Sequence, residues 1–261
     1  MVSFVLHSPG RVLFSIGSFD VYVYGLIMAF AVLCGAIVSV KLSQRSSLPK
    51  DTFYSVVPLT VILGFLGARV WYCVLNPSLV KSFFDVFNFR DGGISIHGAI
   101  LGGFLGLLYY SKREKISLST LCDYAVPGLA LGQAIGRWGN FFNNEAFGLP
   151  YDGFLKLYIP QGYRPEEFFN NSYFHPTFLY ESVLDFILFI LLTFLLVKKN
   201  FKSGVVTLIY LLLYSFLRFW IELLRVDATF YVLGFSIPVF VSILVFILSF
   251  VGLFILTKVN K

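Results

Sequence analysis

Seven apolar stretches of about 20 residues, the length a helix needs to cross a lipid bilayer, dominate the chain and restrict what it can become. Inside hydrocarbon every backbone N–H and C=O must be paired within the protein, so a span is either an α-helix or a strand of a closed barrel. The apolar runs are continuous rather than alternating, which selects helices. They cover about 21–40, 53–75, 94–110, 118–135, 176–197, 204–224 and 237–257. Charged residues make up only 13% of the 261 residues, about half the share of an ordinary soluble domain. The expected fold is an all-α integral membrane protein with about seven transmembrane helices, residues 1–261 forming a single polytopic domain.

Short basic clusters close alternate spans. Lys41, Arg45 and Lys50 follow the first, Lys112, Arg113 and Lys115 the third, Lys198, Lys199 and Lys202 the fifth, and Lys258 and Lys261 the seventh. Alternating the spans puts these eleven of the twenty basic residues on one side, and an excess of lysine and arginine in short loops marks the cytoplasm. The N-terminus is therefore expected outside and the C-terminus inside. The net charge of +6 reflects topology rather than a basic patch, so nucleic acid is excluded as a partner. Cys34, Cys73 and Cys122 lie in apolar segments without metal-ligand spacing; neither a disulfide framework nor a metal site is expected. Residues 1–20 lack the pattern of a removable signal peptide and suit an interfacial segment. Residues 149–174, polar, aromatic and without a span, are expected as an extracytoplasmic loop, and a loop of that length is usually functional or disordered.

Unlike polar groups gather in one place, Gly136-Arg137-Trp138-Gly139-Asn140-Phe141-Phe142-Asn143-Asn144-Glu145-Ala146-Phe147-Gly148. A permanently charged arginine, three carboxamides, a carboxylate and three glycines can bind a phosphate and shape the backbone around it. The competing reading is an interfacial loop from which Arg137 snorkels to water. In the sixth span Tyr214, Arg218, Glu222 and Arg225 share one helical face. Arg218 lies about six residues from the outer end, roughly 9 Å deep at helical rise, with Glu222 one turn away to hold its guanidinium. Structural pairing is the plainer reading of Arg69, Glu181 and Asp185. Tyr24, His97, Asn140, Glu145 and Tyr180 fall at the same outer level, where charges can meet a lipid head group without crossing the bilayer.

Glycines at four-residue spacing occur in the third span (Gly98, Gly102, Gly106) and the fourth (Gly128, Gly132, Gly136). Such stripes let helix backbones approach closely. Their pairing suggests that these two spans touch, bringing His97 towards Arg137. Histidine is the usual general base near neutral pH and also a common hydrogen-bonded structural residue. On these residues alone three functions stay open: an enzyme acting on a lipid head group, a transporter using paired arginines, and a scaffold recruiting helices through its glycines. No internal repeat supports the transporter.

The segment 136–148, read as G-R-x-G-N-F-x-N-x-E-x-x-G, resembles the signature of bacterial prolipoprotein diacylglyceryl transferases. Supporting matches are Tyr24-Gly25, Gly67-Ala68-Arg69, the run Gly92-Gly93-Ile94-Ser95-Ile96-His97-Gly98, His175-Pro176-Thr177-Phe178-Leu179-Tyr180-Glu181, and Arg218 with Glu222 and Arg225. The resemblance implies transfer of the diacylglyceryl group of phosphatidylglycerol to the lipobox cysteine thiol of a prolipoprotein, at the outer face of a bacterial plasma membrane. It implies substrate contacts at Tyr24, Arg137, Asn140, Glu145, Gly148 and Glu222, and catalytic roles for His97, Arg137 and Arg218. It implies neither metal nor cofactor.

Overall fold

The computed structural model describes residues 3–17, 19–79, 82, 86, 93–198, 201–226, 231–232 and 235–258. Most of the expected connection from Asn76 to Gly93, Gly92 included, lies outside the described residues, as do Lys199 and Lys261. Among the described residues there are seven α-helices: α1 Val23–Ser43, α2 Thr52–Leu75, α3 Ile96–Glu114, α4 Leu118–Asn143, α5 Thr177–Lys198, α6 Val205–Leu224 and α7 Ile237–Lys258. Five of them, α1, α2, α5, α6 and α7, are by length and composition able to cross a membrane. Glycines and terminal charges dilute α3, and the polar residues of the signature dilute α4.

The fold is all-helical as expected, with short strands in the stretches before and between the helices. Among the described residues seven short strands accompany the helices: β1 Phe4–His7, β2 Val12–Ile16, β3 Phe19–Tyr22, β4 Leu155–Tyr158, β5 Tyr173–Phe174, β6 Tyr231–Val232 and β7 Phe235–Ser236. β4 is flanked by β1, parallel, and β5, antiparallel, while β2–β3 and β6–β7 are antiparallel pairs. All lie in the stretches outside the helices, including residues 1–20, expected as an interfacial segment, and residues 149–174, expected as a loop without a span. Open sheet edges are excluded only from lipid-exposed hydrocarbon, so chain beyond it is free to pair this way.

The chain divides into two units. In residues 39–124, α3 packs its glycine stripe on α2: a Cβ on Gly98 would collide with the Gly67 carbonyl, and one on Gly102 with that of Leu63. Arg69 donates from Nε to the Val86 carbonyl (3.2 Å) and from Nη1 to that of Gly93 (2.9 Å), in keeping with a structural role.

In the unit formed by residues 1–38 and 125–261, the α4 stripe faces α1. A Cβ on Gly35 would sit 2.6 Å from the Gly128 carbonyl, and one on Gly132 3.5 Å from that of Ala31. Within its own unit each stripe admits a neighbouring helix, α2 against that of α3 and α1 against that of α4. Val126 and Ala130 of α4, Leu188 and Leu192 of α5, and Val206 and Tyr210 of α6 form one buried core. Phe147, Leu157, Ile159, Phe174 and Phe178 form a second, packed among the signature, the strands and the start of α5.

Candidate active site

The signature does not begin as a loop. α4 runs on to Asn143, eight residues past the expected end, so Arg137 and Asn140 stand on a helix. Its glycines serve packing there: a Cβ on Gly136 would lie 3.4 Å from the Met28 sulfur, and one on Gly139 would meet the Tyr24 ring at 2.6 Å. The helix ends in a tight turn with Asn144 and Ala146 at φ 54° and 56°, a left-handed conformation that costs non-glycine residues energy. The Glu145 N–H donates to the Asn140 carbonyl (3.1 Å).

Beyond the turn the chain is laced between α5 and α6. The Gly148 N–H donates to the His175 carbonyl (3.0 Å), the His175 N–H to that of Leu149 (3.0 Å), and the Leu149 N–H to that of Leu224 (2.8 Å). Thr177 Oγ1 donates to the Ala146 carbonyl (2.5 Å). A Cβ on Gly148 would lie 2.8 Å from His175 Cβ, 2.9 Å from Thr177 Cγ2 and 3.0 Å from the Leu224 carbonyl, so only glycine fits without displacement. Trp138 adds a side-chain tie from α4 to α5, donating from Nε1 to Ser182 Oγ (3.1 Å), which itself donates to the Ala134 carbonyl (2.7 Å).

This lacing brings α4, α5 and α6 into an ionic cluster. Glu181, 6% exposed, receives Arg137 Nε through Oε2 and Arg218 Nη1 through Oε1, the latter at 2.5 Å. Arg218 spreads its fork, donating from Nη2 to Glu222 Oε2 at 2.5 Å. Arg225 approaches both acids, at 3.8 Å from Glu181 and 4.0 Å from Glu222. Ser236 Oγ donates to the other Glu222 oxygen (3.1 Å). Three guanidiniums thus surround two glutamates, and an incoming phosphate can compete for their donors.

The carboxamides form a separate group. Glu145 Oε1 accepts from Asn140 Nδ2 (2.9 Å) and Asn143 Nδ2 (3.3 Å). Glu145 and Tyr24 line an open cavity of about 680 Å³, with Asn143 and Phe147 from the signature, Arg11 from the stretch between β1 and β2 and Tyr163 from the long loop. Tyr24 faces the charges of both Glu145 and Arg137, and so links the cavity to the cluster. His175, between β5 and α5, stacks on Tyr151 with centroids 3.9 Å apart and places Nδ1 3.2 Å from the Tyr180 hydroxyl. Burial lowers its pKa below the ordinary histidine value.

The structure therefore gathers Arg137, Glu181, Arg218, Glu222 and Arg225, and separately Tyr24, Asn140 and Glu145, with Gly148 bracing both groups. His97 belongs to the other unit, exposed in the first turn of α3. Glu181 is the residue undervalued from sequence: its four-residue spacing to Asp185 signals a shared face, but its role as common partner of two arginines from other helices leaves no local trace.

Fold and site define a multi-pass helical membrane protein with a buried arginine–carboxylate cluster suited to an anionic group. The family model of prolipoprotein diacylglyceryl transferase matches residues 11–255, and the chain belongs to that family. It is 39% identical over 277 residues to a protein of Prochlorococcus marinus subsp. pastoris named phosphatidylglycerol--prolipoprotein diacylglyceryl transferase, covering 96% of this chain and 93% of the relative. Proteins of the same name from Prochlorococcus marinus strain NATL1A (42%, covering 85% of this chain and 80% of the relative) and Parasynechococcus marenigrum (41%, 84% and 81%) are similar too.

Proposed function

We propose that this protein transfers the diacylglyceryl group of phosphatidylglycerol to the lipobox cysteine thiol of prolipoproteins, the first step of lipoprotein maturation. On this reading all seven helices cross a bacterial plasma membrane, the N-terminus is outside, the C-terminus is cytoplasmic, and the site faces the outer leaflet. Residues 1–261 work as one polytopic domain, and residues 149–174 lie outside the membrane.

The reaction exchanges one bond for another. The thiol gives up its proton, the sulfur attacks a glycerol carbon to form a thioether, and the C–O bond to phosphate breaks with its electron pair leaving on glycerol phosphate. A free thiol has a pKa of about 8.5, so a base or positive surroundings assist at neutral pH. His97 is assigned the thiol proton. Arg137 and Arg218 hold the phosphate and stabilise the charge it gains on leaving, a contribution on the order of 3 kcal/mol per preorganised donor. Glu222 orients Arg218; Tyr24, Asn140 and Glu145 contact substrate from the cavity side, and Gly148 keeps the signature seated. The scheme calls on neither metal nor cofactor.

The observation that supports this reading most directly is the convergence of Arg137 and Arg218, from α4 and α6, on the single carboxylate of Glu181. The test is transfer by purified protein from phosphatidylglycerol with a labelled glyceryl moiety to a lipobox peptide containing one cysteine. Labelled thioether that disappears in Arg137→Ala is expected; folded wild type that binds the lipid yet yields no thioether overturns the proposal. His97→Gln with near-normal turnover at neutral pH removes His97 from the scheme.

A further inference from the structure

Below the cluster, one turn further along α5, lies Asp185. It is 3% exposed and faces the charges of Arg137, Glu181 and Arg218 as well as the hydroxyls of Tyr210 and Tyr214 on α6. The oxygens of the two glutamates are all engaged: Glu181 Oε1 by Arg218, Glu181 Oε2 by Arg137 as an ion pair, Glu222 Oε2 by Arg218 and Glu222 Oε1 by Ser236. Glu181 Oε2 and Asp185 Oδ2 are both buried without a hydrogen-bond partner, but Glu181 Oε2 has its ion pair with Arg137, whereas none of the ion pairs among the described residues reaches Asp185. It belongs to the lining of a small cavity shared with Glu181, Tyr214, Leu217 and Arg218.

An unpartnered carboxylate oxygen in a helix of such apolar character is costly to keep, which makes it a functional candidate rather than filler. The resting cluster explains what it is for. A phosphate that takes guanidinium donors from Glu181 changes where those side chains are anchored. Each guanidinium has five N–H donors in a rigid plane, so donors turned outward to a phosphate leave others turned inward. Asp185 is the acceptor on that inner side.

We propose that Asp185 is a positioning residue for the phosphate-bound state: when phosphate displaces Glu181 from Arg137 and Arg218, Asp185 Oδ2 takes up their inward donors and keeps both guanidiniums facing the substrate. This rests on the diacylglyceryl transfer reading above. Glu181 and Asp185 act in turn, one holding the arginines at rest and the other holding them in use.

The test uses the full-length protein in detergent, with phosphatidylglycerol and the acceptor peptide varied separately. Asp185→Asn keeps the size of the side chain and removes its charge. The expected result is a KM for phosphatidylglycerol raised about tenfold, the scale of one hydrogen bond to a charged group, with the KM for peptide unchanged and Asp185→Glu recovering most of the loss. A phosphatidylglycerol KM within twofold of wild type, or an equal change in both KM values, overturns the proposal. Should Asp185→Asn fail to fold, the smaller uncharged Asp185→Ser decides: a shift confined to phosphatidylglycerol supports the role, and a shift in both substrates or in neither refutes it. Thermal stabilisation by glycerol phosphate, compared in wild type and variant, reads the phosphate contact without turnover. Absence of thioether from wild type would sink the transfer reading, and that comparison would still decide Asp185: weaker stabilisation of the variant supports it, equal stabilisation refutes it.

Discussion

Replacing Glu181 by Gln tests whether one carboxylate holds the site together. Glutamine keeps the shape but offers a single neutral acceptor where two guanidiniums now meet a charge. A hydrogen bond to a charged group contributes about 1.5–3 kcal/mol. Losing one such bond and weakening the other amounts to about 3 kcal/mol, and water replaces little of it, because the side chains of Glu181, Arg137 and Arg218 are only 7%, 19% and 17% exposed. At about 2–4 °C per kcal/mol for a chain of this size, the melting temperature should fall by about 6–12 °C. If the same energy is lost from the transition state, kcat/KM should fall on the order of 10²-fold. Thermal unfolding in detergent and the transfer assay measure the two effects on one preparation. A variant that melts within about 2 °C of wild type and turns over within about twofold would refute the idea that Glu181 organises the arginines.

Two further outcomes follow from the lacing. Gly148→Ala should cost about 1–3 kcal/mol by overpacking, seen as a lower melting temperature, whereas Gly162→Ala, where a Cβ meets nothing within 4 Å, should leave it unchanged; equal behaviour of the two would contradict the fit at Gly148. His175 has a folded-state pKa lowered by burial, so the unfolded chain, titrating near about 6.5, takes up the proton first on acidification. Its contribution to stability is full above about 6.5 and is lost as pH falls through the lowered folded value. Wild type should therefore lose melting temperature more steeply than His175→Gln between about pH 7 and 5, and identical slopes would refute this.

The helices were legible because bilayer length and continuous apolarity leave little choice, and α2, α5, α6 and α7 start and stop within a residue of the expected limits. α4 was read eight residues short because Gly136, Gly139 and three asparagines look like a loop. The two glycines, with Asn140 and Asn143, are tolerated in a helix because α1 lies against it and needs the glycines for room, while Asn144 falls in the turn beyond. The spacing of Arg218 and Glu222 disclosed their pairing, since both ends lie on one helix. Glu181 could not be recognised as the shared partner of Arg137 and Arg218, because they lie 44 and 37 positions away on other helices. Glycine stripes announce close approach but not which helix approaches. The strands escaped notice because β1 and β4 are short and pair across some 150 residues.

The stitch of signature chain between the head of α5 and the tail of α6 has a mechanical consequence. Parting those two helix ends would break the backbone bonds from Gly148 to His175, from His175 to Leu149 and from Leu149 to Leu224 together, and would expose their donors and acceptors. That seam is riveted. Any gate that opens to pass a membrane-embedded substrate must work along a different seam, and while it swings, Arg137 stays in register with Glu181 and Arg218 because its own helix ends in the rivet.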